Sequence, residues 1–178
     1  MLSLTDATNS LDLNYSMKKL LTAAIAAITC ALPVSAKVDP GTIELIRTME
    51  HYGVTVQYNP ITCDGSFAGL YSTRKELTLC YESQPTANDF DTVRHEAFHF
   101  LQHCASQRRG QSRIYPLAAN AGKRMQWIQS VLTSRQIDDI KEAYPPHAHH
   151  VELEAFASAE KYTASEITSY IKTWCRKP

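Results

Sequence analysis

The sequence has no net charge to speak of: its 18 Lys and Arg residues are matched by 18 Asp and Glu residues. That balance removes any general attraction to nucleic acid or to an acidic membrane surface. A local basic cluster, Arg108, Arg109 and Arg113, remains, and it reads as a solvated loop. Nor is there an apolar run of the ~20 residues needed to cross a bilayer, because the longest stretch, Leu20 to Leu32, stops short. Internal repeats and low-complexity segments are missing too, which excludes solenoid and linker architectures. At 178 residues the chain is sized for one domain with one core.

The short apolar stretch has its own meaning. Met17-Lys18-Lys19 precedes LLTAAIAAITCALPVSA, a charged start followed by an apolar segment, a helix-breaking Pro33 and small residues. This is the layout of a signal peptide, with Val34 and Ala36 at the −3 and −1 positions of cleavage. The expectation is therefore an N-terminal extension and signal over 1–36, export to a secreted or periplasmic location, and a single domain over 37–178. Residues 1–16 carry no basic residue, so Met17 is read as the start of the signal.

Of the five cysteines only Cys30 lies in that segment, leaving four: Cys63, Cys80, Cys104 and Cys175. An even count in an exported chain points to disulfides. Cys63–Cys80 with Cys104–Cys175 is the favoured pairing, the first flanking a hairpin and the second tying the last helix to the helix at 95–104. The shorter bridge would add roughly 3 kcal/mol.

Along the chain, Ile43, Leu45, Ile46 and Met49 are spaced as in a helix over about 42–51. Val54 to Tyr58 alternates as a strand does, and further strands are expected at 67–71 and 76–81. Residues 54–81 should form a small, mostly antiparallel sheet. Helices follow: one capped by Asn88 or Asp89 and reaching Cys104, then 117–132, a shorter one capped by Ser134 through Ala143, 148–162, and 165–175. A sheet first and helices afterwards is an α+β arrangement.

The chemistry is concentrated in RHEAFHFLQHC, residues 94–104. Residues four apart share a helix face, so His95 and His99 can present their imidazoles to one point, about 2.0–2.1 Å from each nitrogen, as zinc requires. Glu96 is turned about 100° away, out of the ligand set but beside an activated water, where it can act as general base. Val93, Ala97, Leu101 and Cys104 give the helix an apolar stripe. His103 sits ~12 Å along the axis from His95, too far to join the same ion.

A third ligand must come from elsewhere. The extended zincin pattern with Gly and a third His is ruled out, since Gln102 and Ala105 stand there. In HVELEAFASAEKY, Glu152 shares a face with Ala155, Phe156 and Ala159, whereas Glu154 shares one with Ser158 and Lys161 that looks solvated. Glu152 is preferred and Glu154 is the alternative, because residues two apart point about 200° away from each other.

The His-Glu-x-x-His motif followed by Glu152-Leu-Glu-Ala155 resembles the gluzincin zinc metallopeptidases, especially the minimal ones. Several gluzincin groups carry Asp or Asn where this chain has Phe156. The resemblance implies a zincin-like fold and one Zn2+ ion held by His95, His99 and Glu152, with Glu96 as catalytic base. It also implies an oxyanion-stabilising Tyr or His, for which His147, His149, His150, Tyr144 and Tyr162 are candidates. The leading expectation is a monomeric, exported zinc peptidase with a peptide or protein substrate, no nucleic-acid partner and no membrane span after processing. Alternatives are a non-catalytic exported binding module with a structural metal, and a zinc amidase acting on cell-wall amide bonds.

Overall fold

Pro40-Gly41-Thr42 opens the first helix, with proline at the first helical position, where its missing N–H costs nothing. A computed structural model describes residues 40–81 and 87–177; the expected signal segment and cleavage site fall outside the described residues. Helix α1, Pro40–His51, buries Thr42, Leu45, Thr48 and Met49 on one face. It begins two residues before the apolar pattern does. Gly53, at φ 88°, turns the chain into the sheet.

Three short strands follow: β1, Thr55–Tyr58; β2, Gly69–Ser72; and β3, Glu76–Leu79. Their order is β1-β3-β2, with β3 central. The β2–β3 pair is antiparallel, joined by the tight turn 73–75 in which Lys75 takes φ 61°. The β1–β3 pair is parallel, so the sheet is mixed rather than mostly antiparallel. The reason lies in the connections: residues 59–68 are long enough to carry the chain past the place of β3 to the far edge, and the tight turn then brings β3 back between its neighbours. Cys63, on that long connection, is bridged to Cys80 at the end of β3, with Cα atoms 5.5 Å apart.

The long helix α2, Ala87–Arg108, is the hub. It packs on α1 and β2, and on two later helices, α5, His149–Lys161, and α6, Ala164–Trp174. From His95 to Ser106 every residue is buried, so the expected stripe of Val93, Ala97, Leu101 and Cys104 is only one of its covered faces. Asn88 and Asp89 lie inside its first turn and do not precede it. Between α2 and α5 stand α3, Ala121–Val131, and α4, Ser134–Ala143, both packed on α5.

One cap differs from the sequence reading, and one helix starts a residue early. Thr133, not Ser134, caps α4, and Thr163 caps α6, which begins at Ala164 and not at 165. In each the threonine hydroxyl accepts from the third backbone N–H, while Gln136 or Glu166 reaches back to the cap, a reciprocal pair that a serine inside the helix cannot make. Cys175, just past α6, is bridged to Cys104 on α2, with Cα atoms 5.1 Å apart. The described residues thus form an α+β structure of six helices and a three-stranded sheet. Among them no helix is long and apolar enough to cross a membrane, and the two disulfides fit an oxidising environment.

Candidate metal centre

Helix α2 carries His95 and His99 one turn apart, and their rings meet edge to face with centroids 4.6 Å apart. The two Nε2 atoms are 3.0 Å from each other. Glu152, on the facing turn of α5, brings Oε2 to 3.3 Å from both. These three side chains form the group able to hold a metal ion found among the described residues. Glu152 Oε2 is buried yet in hydrogen-bond geometry with neither ring, so its attraction to them is electrostatic.

The donor set fits a zinc-like cation. Ligands about 2.0–2.1 Å from a tetrahedral ion lie about 3.3 Å from one another, close to the separations here. Three such atoms brought together out of water need either a hydrogen on a ring nitrogen or a metal ion between them. The charges respond accordingly. Burial alone would lower His99, but contact with Glu152, the charge of Glu96 and the bond to Gln102 override it and raise its pKa to about 9. Burial would raise Glu152, and the two imidazoles instead hold its carboxyl down at about 2.

Glu96 stands beside this group without joining it. Its Oε2 accepts the backbone N–H of Tyr71 on β2 at 2.8 Å. The contact depends on Gly69: a Cβ there would come within 2.5 Å of Thr92 Cγ2 and 3.0 Å of Glu96 Cγ. Glycine is what lets the strand lie this close to the helix.

The side chains expected as oxyanion candidates lie in different surroundings. Tyr144 is half-buried, and its hydroxyl is held above its ordinary pKa by burial and then by the charges of Glu152 and Glu96. Its ring meets Phe156 edge-on at 6.1 Å, and Phe156 in turn lies 4.2 Å from the His95 ring. His149 Nε2 bonds the Tyr144 carbonyl at 2.7 Å, fixing the turn that presents the tyrosine. His147 and His150 are exposed, and Tyr162 stacks on Trp127 instead.

Glu154 is the clear departure from expectation. Its face is not solvated: the side chain is 2 % exposed and accepts from Gln102 Nε2, Leu117 N and Ala118 N at 2.9, 2.7 and 3.0 Å. Helix α5 is covered by α2, α3 and α4, so an apolar-face argument built for a helix with one covered side fails here. Sequence reasoning also missed Gln102, whose Oε1 lies 2.8 Å from His99 Nδ1. His103 is buried, with Nδ1 2.7 Å from Tyr71 Oη and Nε2 3.1 Å from Gln107. The basic cluster is partly structural as well: Arg108 covers the Trp174 ring, and Arg109 donates to the carbonyls of Pro116 and Leu117.

Scans against protein-family models, curated proteins and solved structures give no match to this chain, so its assignment rests on the geometry above.

Proposed function

We propose that this chain is an exported zinc peptidase of zincin-like build, in which His95, His99 and Glu152 hold one Zn2+ and Glu96 is the general base. The observation that carries the reading is the convergence of three donor atoms, two imidazole nitrogens and one carboxylate oxygen, with a second carboxylate, Glu96, turned beside them and fixed by a backbone N–H. Zinc, when bound, supplies a Lewis acid that polarises a carbonyl and eases deprotonation of water. Glu96 then takes the proton from the attacking water on the carboxylate oxygen that Tyr71 N–H leaves free, and passes it to the departing amine. Tyr144 donates its hydroxyl to the oxygen on which negative charge builds.

A peptide substrate is favoured by β2. In the antiparallel register set by the Ala68–Cys80 bond, Gly69 and Tyr71 direct their backbone groups away from β3; the Tyr71 N–H is taken by Glu96, which leaves the Gly69 groups and the Tyr71 carbonyl along that edge. An extended peptide can pair with such an edge, which positions its scissile bond over the donors. A purely structural metal would need a fourth protein ligand, and none of His147, His149 and His150 belongs to the donor group. The disulfides support export, with the signal running from Met17 and cleaved after Ala36.

The decisive test is Glu96→Gln. It should retain about one zinc per chain by metal analysis and lose peptide hydrolysis; a variant that still hydrolyses would sink the mechanism. Parallel screening of a peptide library and a cell-wall digest separates a peptidase from an amidase of cell-wall crosslinks.

A further inference from the structure

Gln102 has no exposed surface, and all of its amide is used. Its Nε2 donates to the Val151 carbonyl at 3.2 Å and to Glu154 Oε2 at 2.9 Å, and its Oε1 lies 2.8 Å from His99 Nδ1. A carbonyl can only accept, and the Glu154 carboxylate already accepts two backbone N–H groups, so the NH2 end of the amide must face α5. The carbonyl end is thereby forced toward His99. An acceptor in that place requires a hydrogen on Nδ1, and in the neutral ring the lone pair is then on Nε2, the atom that meets His95 and Glu152.

We propose that Gln102 and Glu154 are positioning residues, a buried amide and carboxylate in series that hold His99 in the orientation and tautomer a metal ligand needs. The proposal rests on the reading of His99 as a ligand, and not on peptide hydrolysis. Glu154 anchors the series to the connection between α2 and α3 through Leu117 N and Ala118 N, so the His99 ring is tied to a segment outside its own helix. His95 has no such support: its Nδ1 is buried without a partner among the described residues, against Phe156. The precision of the donor group therefore depends on the His99 side. Glu152 and Glu154 divide the work on α5: Glu152 would ligate the ion and Glu154 holds the group that holds His99.

The probe is Zn2+ alone, titrated against a chelator into the full chain and into the Gln102→Met and Glu154→Gln variants. Loss of an outer hydrogen-bond partner should weaken zinc binding about 10–100-fold. Thermal unfolding of the metal-free proteins separates this from a packing defect, which would lower the melting temperature and leave the affinity of folded protein unchanged. Affinity within three-fold of the unaltered chain in either folded variant overturns the proposal. A measurement without substitution stands behind these: in the zinc-loaded unaltered protein, long-range 1H–15N spectra should show a slowly exchanging proton on His99 Nδ1. A proton-free Nδ1 overturns the proposal even if neither variant folds. Zinc binding without peptide hydrolysis would defeat the peptidase reading and leave this one intact; no zinc binding by the unaltered chain would defeat both.

Discussion

Raising the pH from 6 to 8 should strengthen zinc binding by about 90-fold, because the metal must displace a proton from His99. With that imidazole at about 9 in the metal-free protein, roughly one ring in a thousand is unprotonated at pH 6 and roughly one in eleven at pH 8. An imidazole at its ordinary value near 6.5 would change by only about four-fold over the same range. Glu152, held down at about 2, is ionised throughout and adds nothing to the slope. The effect, about 2.7 kcal/mol at 25 °C, comes from the close packing of Glu152 and the nearness of Glu96, which outweigh burial. Competition with a chelator of known pH-corrected affinity measures it, and calorimetry in two buffers of different ionisation enthalpy should count about one proton released per zinc at pH 7. A gain below ten-fold between pH 6 and 8 would refute the reasoning, since His99 would then not be the protonated partner of Glu152.

Replacing Cys104 and Cys175 by alanine frees a loop of sequence separation 71, against 17 for Cys63–Cys80; the chain-entropy relation gives about 4.4 and about 3.1 kcal/mol respectively. Thermal melts should rank the two double variants in that order, and a smaller loss for the longer loop would contradict it. Tyr144→Phe should lower kcat about 100–1,000-fold with little change in KM or zinc content, as for loss of an oxyanion donor; equal activity would remove Tyr144 from the reaction. His103 is held below its ordinary pKa by burial and by Lys75. The unfolded chain therefore takes up a proton near pH 6.5 that the folded chain resists, and stability falls as the pH drops through that value. Denaturant unfolding of metal-free protein should show a smaller loss between pH 7 and 5 in His103→Gln than in the unaltered chain.

What was legible in the sequence is what depends on neighbours along one helix or strand. The spacing of His95 and His99 sets their shared face wherever the helix packs, and the axial rise alone kept His103 out of their group. The three strands, the six helices and both cysteine pairs followed from periodicity, turn residues and loop placement. The parallel pairing of β1 with β3 did not, because adjacency in sequence favours hairpins and only the path of residues 59–68 carries β2 to the far edge.

The carboxylates of α5 mark the boundary most clearly. The face shared with Ala155 and Phe156 points to Glu152, and the structure brings it to the histidines. A helix with a single covered face would turn Glu154 to water, whereas three helices and the 117–118 connection enclose α5. Gln102 carries no motif, and its role exists only because α5 presents a carbonyl and a carboxylate to one end of its amide. Where Tyr144 sits, in a turn held by His149 with its ring against Phe156, is likewise set by packing and not by its place in the sequence. The sequence by itself determined the donors that a helix repeat places together. Tertiary structure decided which distant groups meet and orient them, since that depends on burial from several sides at once, a property of packing that no local periodicity records.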